Sequence, residues 1–169
     1  MEKWRNELEC EINIRETFHR KVKGMKDKKL SAFCFKLLHR ILTCAETLYH
    51  WKKISSPLCT LCKCIHSVKH MLWECDNAKY VWSYCNQTLN IILSWKDIVI
   101  GIGENVCDYL ISQLAFLLYK AWILEINDKK VKNLKSFLYH ELNNKKQIYN
   151  LIGQPDISMY IENIMSCFL

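Results

Sequence analysis

Four glycines and two prolines in 169 residues are too few to punctuate a β-sandwich or barrel, which needs a turn every eight to twelve residues or so. No apolar core of the signal-peptide type follows the N-terminus, so export, and with it a disulfide framework, is not expected. The most apolar stretch, residues 109–124, is interrupted by Gln113 and Lys120 and falls short of the roughly 20 residues of a bilayer span; it is expected to be a buried core helix. The expected protein is intracellular, nuclear or cytoplasmic, with no membrane partner. Internal repeats and low-complexity tracts are missing. So are a Gly-rich phosphate loop, Gly-x-Ser-x-Gly and His-Glu-x-x-His, and Asp97, Glu104 and Asp108 are scattered acids expected to serve as caps and surface charges. No catalytic residue is expected.

What the chain does have is apolar residues at half of its positions, enough for a real core. Its 24 basic side chains outnumber 17 acidic ones, a net charge of +7. Such a surplus suits a polyanionic partner, or is simply a solvated lysine-rich surface. Ten cysteines in a chain not built for export point to metal binding or buried thiols.

Hydrophobic periodicity and the scarcity of turn residues predict an all-α fold, mostly a helical bundle, to which the spacing of Cys59, Cys62, His70 and Cys75 adds a small zinc-stapled CCHC loop. Four segments are expected. Residues 1–29 form a linker with short helices, in which Trp4 and Leu8 share a face and a basic run from His19 to Lys29 follows. Residues 30–93 form a zinc-binding helical module. In it Leu30, Phe33, Leu37, Leu38 and Ile41 share a helical face, Ala45 to Trp51 make a short helix, and a helix runs over 77–93. Residues 94–150 form a helical tail: Ser94 with Asp97 reads as a capped start, a long apolar helix spans 105–126, and a basic amphipathic helix spans 128–149. In the last of these Leu134, Phe137, Leu138, Leu142 and Ile148 mark the apolar side. Residues 151–169 hold a terminal helix over 156–167.

Cys59 and Cys62 stand two residues apart, and His70 and Cys75 follow with four residues between them. Zinc takes four such ligands at tetrahedral positions, about 2.0–2.3 Å from the ion. A Cys-x-x-Cys turn presents two sulfurs to one ion, and the His–Cys pair completes the set from a helix end and the loop after it. Cys64 and His66 are rival ligands inside the loop. Cys34, Cys44, Cys107 and Cys167 sit in apolar periodic contexts and are expected to be buried thiols, while His19, His39, His50 and His140 are expected at the surface. With three thiolates and a neutral histidine, zinc lowers the net charge by one and leaves the basic surplus standing. A closed four-ligand site has no open position, so its role is structural, and metal binding contributes folding free energy.

These residues carry a resemblance. Phe35-Lys36-Leu37-Leu38-His39-Arg40-Ile41-Leu42, then Leu48, Cys59-x-x-Cys62, His70-Met71-Leu72-Trp73-Glu74-Cys75 and Val81-Trp82 together resemble the zinc-binding domain that follows the polymerase in LINE-type (non-LTR) retrotransposon reverse transcriptases. Lys3-Trp4-x-x-Glu7-Leu8 resembles the linker before that helix, and Leu114 to Trp122 with the basic helix after it resembles the family's tail. The likeness covers residues 3–145; residues 158–169 do not share it. It implies Zn2+ on Cys59, Cys62, His70 and Cys75. The chain contains no endonuclease and no polymerase aspartate pair, so the resemblance implies an accessory segment that helps hold element RNA or target DNA.

A nucleic-acid-binding module would meet phosphates through Lys26, Lys28, Lys29, Lys36, Arg40, Lys52, Lys53, Lys63 and Lys69, with Trp51 available for stacking. Its partners are RNA, DNA or both, with a separate reverse-transcriptase core as a further partner. Core packing is the expected role of Trp73 and Trp82. The competing expectation is a protein-interaction or structural helical domain, or a retrotransposon remnant without a function.

Overall fold

The structure, a computed structural model, describes residues 2–22, 27–127, 131, 133–166 and 168. Among them the chain is helical, with an isolated antiparallel bridge between Leu58 and Ile65. In chain order the helices are α1 (Glu2–Leu8), α2 (Ile14–Val22), α3 (Lys28–Leu38), α4 (Ala45–His50), α5 (Asp76–Leu89), α6 (Trp95–Ile100), α7 (Asn105–Ile126), α8 (Leu134–Leu151) and α9 (Pro155–Ser166), with a π-helical turn, His70–Glu74, before α5.

The long α7 is the axis of the molecule. Leu110, Ile111, Leu114, Ala115 and Leu117 are all fully buried, and α2, α3, α5, α6, α8 and the π turn pack on it from different sides. A helix apolar around most of its circumference must be surrounded in this way. It is long and apolar enough to cross a membrane by length and composition, and more than half of its most apolar window is buried within the fold. Most of the buried apolar residues form one cluster, from Trp4 to Phe168, that draws on every segment of the chain.

Polar anchors fix the short helices to this axis. The indole of Trp4 donates to Leu38 O at 2.7 Å, tying α1 to the end of α3, and Trp95 Nε1 donates to Glu7 Oε1 at 2.8 Å. Ser94 caps α6 as expected: its backbone N–H donates to Asp97 Oδ2 at 2.8 Å. Lys21, read from sequence as part of a basic polar run, is instead only 2 % exposed. Its ammonium donates to Ile98 O (2.8 Å) and Val99 O (3.2 Å), satisfying carbonyls at the C-terminus of α6, and burial lowers its pKa. Asp108, expected to be a cap or a surface charge, is also fully buried. It accepts the N–H groups of Ile102 (2.6 Å) and Gly103 (3.3 Å) and so latches the loop between α6 and α7.

The expected helices over 105–126 and 156–167 match α7 and α9 to within one residue, and α5 ends four residues before the expected 93. Helix α3 stops at Leu38, so Ile41 lies beyond its apolar face and is 58 % exposed. The start expected for α8 includes residues outside the described ones; the helix begins at Leu134, behind an Asn133 cap. Ile148, placed on the apolar side of α8, is 49 % exposed. Cys34, Cys44 and Cys107 are buried, and Cys167 lies outside the described residues. His19, His39, His50 and His140 are exposed.

Candidate metal centre

Two tight turns bring four ligands together. Across the first, Cys59 N–H donates to Cys64 O (2.8 Å), and Lys63 N–H donates back to Cys59 O (3.0 Å). Lys63 takes a left-handed φ of 59° to close it. Below, His66 N–H donates to Pro57 O at 2.9 Å, making residues 57–66 a narrow hairpin with Cys59 and Cys62 on its loop.

The second turn is the π-helical one. In an α-helix His70 and Cys75, five residues apart, would diverge by about 140° around the axis. A π turn closes i to i+5, and Cys75 N–H donates to His70 O at 2.7 Å. The two ligands therefore flank a single hydrogen bond. Trp82, from α5, donates its indole N–H to Leu72 O at 2.7 Å and holds the turn in place. The expected helix end and loop are thus replaced by a wider coil, which residue spacing alone does not distinguish.

Ligand atoms of Cys59, Cys62, His70 and Cys75 all lie within 4.8 Å of one another. The sulfurs of Cys62 and Cys75 are 3.7 Å apart. Tetrahedral thiolates with bonds of about 2.3 Å to zinc stand about 3.8 Å apart, so the donor set fits a metal ion of that size. Cys59, His70 and Cys75 are buried and Cys62 is partly so.

The electrostatics fit a cation as well. Burial, and then the neighbouring Cys59 and Cys62, push the Cys75 thiol up to about 12, although the Asn77 N–H at the start of α5 works the other way. Three converging sulfurs cannot all ionise without a positive charge between them. Burial lowers the His70 pKa, which keeps the imidazole neutral, the form that ligates.

The rival ligands are placed differently. His66 stacks on Trp122 with ring centroids 5.0 Å apart, and its Nδ1 accepts the Ala45 N–H at 3.4 Å. Burial depresses its pKa to about 4. Cys64 is exposed and lies 3.3 Å from His70 Nδ1, but it stands outside the group of four. The hairpin docks on the C-terminal end of α7 through this stack and through Thr60 Oγ1, which donates to Glu125 Oε1 at 2.6 Å.

The basic residues divide into two sets. Lys28, Lys29, Lys36, Lys52 and Lys53 are exposed, and Trp51, beside the last two, is 60 % exposed. Arg40 is already engaged: its guanidinium lies 2.6 Å from Glu7 and 4.2 Å over the Trp4 ring. Lys63 Nζ donates to Thr60 O at 2.6 Å, and Lys69 lies 3.4 Å from Glu74. These three belong first to local structure, a role their spacing in sequence did not reveal. Lys26 lies outside the described residues. Trp82 is core, as expected, while Trp73 is only partly buried.

Comparison with models of known protein families, with curated proteins and with solved structures finds no match.

Proposed function

We propose that this chain is a zinc-stapled helical module that binds RNA or DNA through an exposed lysine surface, with no polymerase or endonuclease chemistry of its own. The observation that carries the proposal is the convergence of Cys59, Cys62, His70 and Cys75 in a geometry that suits tetrahedral zinc. The residue order that brings them together is also the order that resembles the post-polymerase segment of LINE-type reverse transcriptases. Zinc would close all four positions and act structurally, clipping the 57–66 hairpin and the π turn to the end of α7. The exposed lysines of α3 and of the turn after α4 would then meet phosphates, with Trp51 available to a base.

The test is metal analysis of protein purified without added metal, run beside a salt titration of RNA and DNA binding. One zinc per chain is expected. If five exposed lysines each neutralise a phosphate, log affinity falls against log salt with a slope of about −4 on single or double strands. Absence of stoichiometric metal, or a binding signal indifferent to salt, would refute the proposal.

A second reading has its own support. Leu58, Leu61 and Ile65 on the metal hairpin are 46 %, 52 % and 55 % exposed, an apolar face suited to a protein such as a separate reverse-transcriptase core. Under that reading the chain would ignore nucleic acid and pair with protein alone.

A further inference from the structure

On α7, Gln113, Phe116 and Lys120 recur at helical spacing and share one stripe; on α8, Glu141, Lys145, Ile148 and Tyr149 do the same. The two stripes face each other across a cleft of about 400 Å³, closed on a third side by Asp27 and Lys29 at the start of α3. Its rim is ionic. Lys120 Nζ lies 2.6 Å from Glu141 Oε2, and Lys145 pairs with Asp27. Each of those cations has its carboxylate. Lys29 has no carboxylate in ion-pair range among the described residues, although its backbone N–H, like that of Leu30, is already taken by the carboxylate of Asp27, which caps α3.

The wall of the cleft contains an unmet demand. Gln113 is fully buried; its Oε1 accepts from Tyr109 Oη at 3.3 Å, but its Nε2 has no partner. An orphaned buried donor is destabilising, and in a native fold it calls for an explanation. With Oε1 held by Tyr109, the unmet group of this cleft-lining side chain is an N–H, which calls for an acceptor. A fitting ligand therefore carries an acceptor within an apolar body and an anionic group at its edge. A plain acyl chain lacks that inner acceptor. A nucleotide has both: every base offers a carbonyl or ring-nitrogen acceptor, and the phosphate is the anion.

We propose that the cleft between α7 and α8 is a binding site for one nucleotide, its base lodged beside Phe116 and Tyr149 with an acceptor on Gln113 Nε2, and its phosphate on the ammonium of Lys29. The site deepens the nucleic-acid function proposed above and rests on it. The nucleotide is either free or one residue of a single strand.

Calorimetric titration of the full, zinc-loaded chain with uridine monophosphate, uridine and a short oligouridylate tests this. Saturable binding of the monophosphate is expected, with uridine about tenfold weaker for want of one charge-assisted contact. Lys29→Gln should remove that tenfold difference while leaving uridine binding in place. Gln113→Leu should weaken both ligands at least tenfold in a chain still folded by circular dichroism, since it removes the orphaned Nε2 along with the long contact from Tyr109 Oη. Ile148→Trp, at a position 49 % exposed and so tolerant of change, should fill the cleft and block both. Oligouridylate displaced by the monophosphate marks the single strand as the source, and oligouridylate undisturbed by it marks the free nucleotide. No saturable binding of the monophosphate at millimolar concentration, or binding that survives Gln113→Leu and Ile148→Trp, overturns the proposal. Should long strands still bind in a salt-dependent way, the cleft alone falls. If the monophosphate occupies the cleft while long strands are ignored, the broader function falls and the cleft stands.

Discussion

Gly101→Ala is the most sharply defined perturbation of the fold. Gly101 ends α6 with φ 80° and ψ 171°, a region open to glycine almost alone, where any other residue is strained by about 1–3 kcal/mol. Space is also lacking. A Cβ there would stand 2.5 Å from Asp108 Oδ1, 2.6 Å from its Cγ and 2.7 Å from Oδ2, so the whole carboxylate must move. Asp108 is fully buried and accepts Ile102 N–H at 2.6 Å and Gly103 N–H at 3.3 Å, so moving it breaks the loop latch. A hydrogen bond to a charged group contributes about 1.5–3 kcal/mol. Strain and one such loss together come to about 4 kcal/mol, or about 12 °C in melting temperature for a chain of this length. Gly103→Ala is the control. Its φ of 99° imposes strain, but nothing lies within 4 Å of the added carbon, so about 1–2 kcal/mol is expected. Thermal and urea denaturation followed by circular dichroism would measure both. In an Asp108→Ala background the steric part should vanish and the cost of Gly101→Ala should shrink toward that of the control. Equal losses at the two glycines, or an undiminished cost in the Asp108→Ala background, would refute the account of the latch.

Three further outcomes are expected. Cys59→Ser or Cys75→Ser should lose stoichiometric zinc on metal analysis, whereas Cys107→Ser, whose thiol is buried beside Glu104, should keep it; zinc retained by all three would undo the ligand assignment. Trp82→Phe removes the indole donor to Leu72 O and should lower zinc affinity about tenfold or more in chelator competition. Trp4→Phe loses a like bond to Leu38 O and should cost similar stability without touching affinity, so equal affinity losses in the two would speak against the π turn as the metal's support. In metal-free protein, the depressed pKa of His66, about 4 against an ordinary 6.5, means that the fold favours the neutral ring. Stability is therefore full above pH 6.5 and falls by about 3 kcal/mol as pH drops toward 4. His66→Phe keeps the face that stacks on Trp122 and should flatten that slope in urea midpoints; an unchanged slope would assign the loss to other groups.

The parts of this fold legible in sequence are those set by one dominant local pattern. Helix α7 was readable because its apolar residues leave few alternatives, and α6 because Ser94 and Asp97 announce their cap. The convergence of Cys59, Cys62, His70 and Cys75 was readable because metal-ligand spacing is a constraint on chain length. What escaped depends on partners distant in sequence. Lys21 looks like solvated charge until the carbonyls of Ile98 and Val99, about eighty residues away, supply its acceptors. Asp108 looks like a surface acid until the loop before it folds back over the carboxylate. The π turn differs from an α turn only in closing one residue later, and no composition rule marks it without Trp82 beneath. Ile148 fits the apolar period of α8, yet it faces the cleft because α7 and α8 do not close completely there.

One helix supports both the metal centre and the cleft. Trp122 and Glu125 receive the metal hairpin near the C-terminal end of α7, and Gln113 stands nine residues earlier, about 13 Å along the axis. At this fully buried position leucine would remove the orphaned Nε2, losing only the long contact by which Oε1 accepts from Tyr109 Oη at 3.3 Å. Local rules of a fold are broken mostly where something other than stability is at stake. The α7 stripe breaks such a rule at Gln113, and it does so in the wall of the cleft that Lys29 also lines. Zinc at the far end of the same rod would fix how that rod is held against the rest of the bundle, and so fix the width of the cleft. Metal occupancy should accordingly matter to nucleotide affinity although no zinc ligand lines the cleft.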